Sequence, residues 1–259
     1  MKNLKIRKNV ISLLLAGSIL VTPITGLAGS DHNLAWNDES KYDDWFLYNK
    51  ESKFLDRLWE DLNSYEFLPE CIENSFYRII FIDKEGELED YLGNYIKSKN
   101  YYKGYTLSGY NTILCECFVR RGIVEKTRNK ASNKKLLNGL DDEELSYMYA
   151  RDTLFHELGH MLDINLCGLT GIGKPGRLAS SDPMYEEIFN KEKKAYKNTR
   201  EFIVDNTSVE QNISMKAEYF ASSFACYLLY PEDLMEYCPE TYNYIDNFVK
   251  ELSNKKTKN

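Results

Sequence analysis

The chain has 259 residues, 43% of them apolar, which is enough for one domain with a sizeable core and too little for several unrelated ones. Its formal charge of −7 provides no basic stripe to follow a phosphate backbone, so nucleic acid is excluded as the expected partner. Residues 1–28 carry Lys2, Lys5, Arg7 and Lys8, then an apolar run from Val10, then small residues up to Ala28. This order reads as a cleaved secretory signal whose loss takes the charge to −11, and it predicts a secreted protein with no stable membrane insertion after removal. An uncleaved anchor is the competing reading. The short apolar run, broken by Gly17, Ser18, Thr22 and Pro23, speaks against it.

Residues 29–75 are expected to form an N-terminal helical segment, because Trp45, Phe46, Tyr48, Phe54, Leu55, Leu58 and Leu62 recur at mostly helical spacing over residues 44–62. The β-branched and aromatic run 76–82 predicts a strand and opens a catalytic domain expected to span residues 76–252. Helical spacing returns over 87–97, and a second strand follows a Gly-containing turn at about 111–119. After a charged loop, Asp141 or Asp142 is placed to cap a long helix over about 143–164. Phe155, Leu158 and Leu162 form one stripe of that helix, for packing. Tyr149, Thr153, His156, His160 and Asp163 form another that can face a cleft. A Gly- and Pro-rich connection leads to a charged helix over about 184–200, then to the last strong element over about 214–229 and a tail over 242–249. Residues 253–259 are polar and expected to be a disordered tail. The six cysteines, Cys71, Cys115, Cys117, Cys167, Cys226 and Cys238, are compatible with disulfides in an exported protein, but their spacing specifies no pairing.

The chemistry is concentrated in the motif HELGH, His156 to His160. Histidines four apart on a helix point the same way and can reach one Zn²⁺, while Glu157 lies beside the metal without being a ligand. Zinc brings the pKa of its water toward neutrality, and Glu157 takes the proton as that water attacks a peptide carbonyl. Gly159, costly in a helix by about 1 kcal/mol relative to Ala, points to a close approach by another element. The chain's only other histidine, His32, receives no role.

A catalytic zinc keeps three protein ligands, and the chain has no third histidine in an HExxHxxGxxH extension, so a downstream acid is required. Glu218 in KAEYFASSFACYLL is the choice, because Ala221, Ser222 and Ala225 on its face allow that helix to lie close to the HELGH helix. Glu210 and Glu187 are weaker candidates in less apolar surroundings. The competing reading of Glu218 is a first-turn acid complementing the helix dipole.

HELGHMLD, followed by AEYFASSFACYLLYPEDLMEYCPETYNYIDNF, resembles the catalytic domain of the anthrax lethal factor-like zinc metallopeptidases, above all the small secreted Pro-Pro endopeptidases. The resemblance implies a zincin-like α+β fold, with His156, His160 and Glu218 as zinc ligands and Glu157 as general base. It also implies that the strand near 111–118 is an edge pairing with extended polypeptide substrate, and that Tyr105 stands at an aromatic wall of the cleft. The chain departs from the family pattern in three places. Gln211 stands where a tyrosine usually steadies the oxyanion, Ser222 replaces a supporting Glu, and Ala217 replaces an acid of the Pro-Pro enzymes.

Gly168 to Lys174 spells GxxxxGK, but Pro175 stands where a phosphate loop needs a hydroxyl, and the segment follows a helix. The expectation is therefore a secreted zinc endopeptidase. The alternative is a catalytically impaired, zincin-like binding or toxin-related protein.

Overall fold

A computed structural model of the protein describes residue 43 and residues 45–48, 53–75, 77–82, 104–107, 112–116, 139–169, 178–205 and 215–256. The expected signal segment, the helix at 87–97, residues 170–174 of the GxxxxGK segment, His32, Glu210 and Gln211 lie outside them.

Four strands make one sheet: β1 (Phe46–Tyr48), β2 (Arg78–Ile82), β3 (Gly104–Leu107) and β4 (Thr112–Glu116). Their order is β1-β2-β4-β3, with β2 parallel to β1 and β4, and β3 antiparallel to β4. Register aligns Phe46 with Ile79 and Ile79 with Ile113. It also aligns Tyr48 with Phe81, Phe81 with Cys115, and Cys115 with Gly104. Because side chains alternate across a sheet, these residues share one face. They are apolar except at β3, where Gly104 and Thr106 carry that face.

Two sequence expectations are corrected. Residues 46–48 are a strand, although their bulky side chains fit helical spacing; the Ile79 N–H donates to Trp45 O at 2.7 Å, so pairing with a distant strand overrides the local pattern. The N-terminal segment thus contributes to the sheet as well as supplying α1 (Lys53–Asn63) and α2 (Phe67–Asn74). The second correction concerns the edge. The strand near 111–118 pairs on both sides, with β2 and β3, so among the described residues β3 is the edge on that side of the sheet and β1 the edge on the other.

The sheet's apolar face meets α3 (Asp142–Leu169), the longest helix described. Asp141 caps it as expected, its Oδ1 accepting the Glu144 N–H at 2.8 Å. Glu144 in turn pairs with Arg57 of α1 at 2.9 Å. Phe155, Leu158 and Leu162 are buried, but so are Tyr149, Thr153 and Asp163 of the other stripe. With the sheet on one side and α6 (Lys216–Leu229) on the other, α3 is a core helix over residues 149–163, where only Arg151, His156 and His160 are partly exposed.

The charged helix expected over 184–200 is broken. Asp182 caps α4 (Pro183–Glu192), accepting the Met184 N–H at 2.8 Å with Pro183 in the first turn, as such sequences favour. The chain then passes through a short 3₁₀ turn into α5 (Arg200–Asp205). The break turns the Glu192 carboxylate inward, where it accepts the Glu240 N–H at 3.0 Å and the Thr241 N–H and hydroxyl, each at 2.8 Å. Those groups begin α8 (Pro239–Lys256), which follows α7 (Pro231–Tyr237) and runs four residues past the expected domain end at 252.

Cys71, Cys115, Cys226 and Cys238 are buried, and no disulfide joins any two of these four. No helix among the described residues is long and apolar enough to cross a membrane.

Candidate metal centre

His156 and His160 stand one turn apart on α3, their ring centroids 4.8 Å apart and their planes at 83°. The third group reaches them because α3 and α6 touch backbone to backbone. A Cβ on Gly159 would lie 2.7 Å from Ala221 Cα and 2.9 Å from Ala221 O, so only glycine permits this contact. The small-residue face behaves as expected, with Ala221, Ser222 and Ala225 all buried. Glu218, one turn before Ser222, projects from the first turn of α6 toward both imidazoles.

Glu218 Oε2 lies 3.3 Å from His156 Nε2 and 3.5 Å from His160 Nε2, and the three ligand atoms all fall within 4.8 Å of one another. Two zinc bonds of about 2.1 Å at a tetrahedral angle separate their donor atoms by about 3.4 Å, so the observed spacing fits a zinc ion. The donor chemistry fits as well, with two imidazole nitrogens and one carboxylate oxygen. Burial works to raise the pKa of Glu218, but the histidines outweigh it and hold the carboxyl well below the usual carboxylate range. The carboxylate is therefore ionised and ready to bind a cation.

Ser222 is within hydrogen-bond distance of His156 Nδ1, at 3.1 Å, so the residue that replaces the family's usual Glu still supports this imidazole. Asp163 is tied to the turn Ala179–Ser181 by the Ser180 N–H at 2.6 Å and hydroxyl at 2.7 Å. Burial raises its pKa, against the pull of those two donors.

Glu157 is 6% exposed and faces β3. Thr106 Oγ1 lies 2.6 Å from Glu157 Oε2 and 3.0 Å from Glu157 O. A Cβ on Gly104 would come within 2.8 Å of Glu157 Cγ and 3.0 Å of its Oε1. Of this strand the sequence expectation named only the aromatic Tyr105. Strand alternation sends Tyr105, partner of Leu114, to the opposite face from Glu157, so the expected aromatic wall is not beside it. The signal that was missed is the alternation itself, small Gly104 and hydroxyl Thr106 on one face. Glu187 is exposed on α4, away from the histidine cluster.

Residues 124–248 match the family model for anthrax toxin lethal factor, N- and C-terminal domain. Over this segment the chain is lethal factor-like. That family is one of zinc metalloproteases, and the lethal factor-like segment contains α3, α6 and all three residues of the cluster. Gly104 and Thr106 of β3 precede it. None of the curated proteins matches the chain.

Proposed function

We propose that this lethal factor-like protein is a secreted zinc-dependent endopeptidase that cleaves an extended polypeptide in a zincin-like catalytic domain. The observation that carries the reading is the convergence of His156, His160 and Glu218 at zinc-ligand spacing, with Glu157 in the same helical turn.

In this reading His156, His160 and Glu218 hold the metal. Bound zinc supplies Lewis acidity, polarising a carbonyl and acidifying water. Glu157 accepts the proton of the attacking water on its carboxylate and returns it to the departing amide nitrogen. Edge strand β3, lying against Glu157, offers its outer edge to an extended peptide, so that main-chain pairing aligns the scissile bond. Ser222 orients His156, which argues against the impaired-binder alternative at that one position. The substitution at Gln211 still motivates it.

The test combines zinc content with cleavage of a diverse peptide library by wild type and Glu157→Ala. One zinc per chain in both, with cleavage by wild type alone, is expected. Zinc without cleavage by either form leaves the binding-protein reading standing and overturns the enzyme. Glu218→Ala is expected to lose most zinc affinity, and an unchanged affinity removes Glu218 from the ligand set.

A further inference from the structure

Glu157 is held from a strand fifty-one residues earlier in the chain. A threonine hydroxyl has one proton to give, and Thr106 stands near two acceptors, the Glu157 carbonyl at 3.0 Å and its carboxylate Oε2 at 2.6 Å. The shorter contact is to the group that carries charge, where a hydrogen bond is stronger, so the proton goes to Oε2. A strand-to-helix tie alone would need only the carbonyl. The second observation is one of space: Gly104 leaves the gap in which the rest of the carboxyl group lies, since a Cβ there would press on Thr153 Cγ2 at 2.7 Å, Glu157 Cγ at 2.8 Å and Oε1 at 3.0 Å. Hydrogen bond and gap come from alternate residues of one strand face.

We propose that Gly104 and Thr106 form a clamp that fixes the orientation of the Glu157 carboxylate, with Thr106 a positioning residue for the reaction. The inference rests on the reading of Glu157 as the general base. Its physical content is that β3 does two things at once. As the edge strand it is the element along which an extended peptide aligns, and it also holds the base, so one rigid segment references both to each other. A base left to its own rotamers would have to be ordered again at each turnover.

The test uses the full mature chain, zinc-loaded, with Thr106→Val, Thr106→Ser and Gly104→Ala, on a peptide selected from the library by wild type. Thr106→Val keeps the branched shape and removes the hydroxyl. It is expected to lower kcat by about 10- to 100-fold with KM and zinc content held, as loss of a supporting hydrogen bond at a metal site does. Thr106→Ser, which restores the donor, is expected to recover most of that loss, and Gly104→Ala is expected to lower kcat in the manner of Thr106→Val. A Thr106→Val enzyme with wild-type kcat, a change in KM alone, or loss of zinc each overturns the clamp. Crystal structures of metal-free wild type and Thr106→Val supply a readout that does not depend on turnover. The Glu157 carboxylate displaced in the variant supports the clamp even if wild type cleaves nothing, which would sink the peptidase reading separately. An undisplaced carboxylate overturns it.

Discussion

A metal-binding imidazole has two nitrogens with different tasks, and at His156 both are accounted for. Nε2 turns toward Glu218, while Nδ1 lies 3.1 Å from Ser222 Oγ, so a proton on Nδ1 donated to the serine leaves Nε2 free to ligate. Ser222→Ala is therefore expected to weaken zinc binding by about 10- to 100-fold with the fold intact, as measured by competition with a chelator. An unchanged affinity would show that the helix alone orients the ring. At this scale the candidate ligands that the structure brings together were legible in the sequence, because spacing along a helix dictates which side chains share a direction. The supporting groups were less so. Ser222 read as the loss of a carboxylate, when its hydroxyl reaches the imidazole directly, and Thr106 carried no motif at all.

Between elements, the site depends on how closely α6 approaches α3. Gly159 foreshadowed that approach, since an interior glycine sacrifices helix stability for some other reason. The reason is Ala221, whose backbone fills the place of the missing Cβ. Gly159→Ala gains about 1 kcal/mol of helix propensity but forces two backbones apart, an overpacking cost of about 1–3 kcal/mol. Net destabilisation is expected in denaturant melts, together with weaker zinc binding, because Glu218 sits one turn from Ala221 and moves with it. A more stable variant with intact zinc affinity would mean that the close contact is dispensable. Strands were harder to read than helices. Residues 46–48 have the bulk and spacing of a helical stripe and became β1 only through pairing with β2, and the edge passed from β4 to β3 because pairing partners are not written in either strand.

Across the molecule, several tyrosines form the aromatic contacts that join the C-terminal helices. Tyr185 lies 4.8 Å from Tyr244 and 5.5 Å from Phe220, ring centre to ring centre, while Tyr219 lies 5.3 Å from Phe189 and 5.2 Å from Tyr196. Burial raises the pKa of Tyr147 from 10.0 to about 12, with its hydrogen bond to Asp61 adding to the effect, and pushes Tyr185, Tyr196 and Tyr219 further up. Burial likewise pushes the Cys238 thiol up from 9.0 to about 12. Between those limits the unfolded chain has released protons that the folded one retains, so stability falls as pH rises; the contribution is fully present below the unfolded values and is lost through the folded ones. Unfolding is expected to set in above about pH 10, with tyrosinate absorbance rising in the same transition. Tyrosinate appearing well ahead of unfolding would contradict the burial. The sequence by itself pointed to the helix of the candidate metal centre, a cap at Asp141 or Asp142, and Glu218 as the proposed acid on a small-residue face, because these follow from residue type and periodicity within a few turns of two separate helices. Only the tertiary structure decided which strand is the edge, what lies against Glu157 and how Ser222 serves His156, because those contacts join residues 51 and 66 positions apart and depend on which surfaces the folded chain brings together.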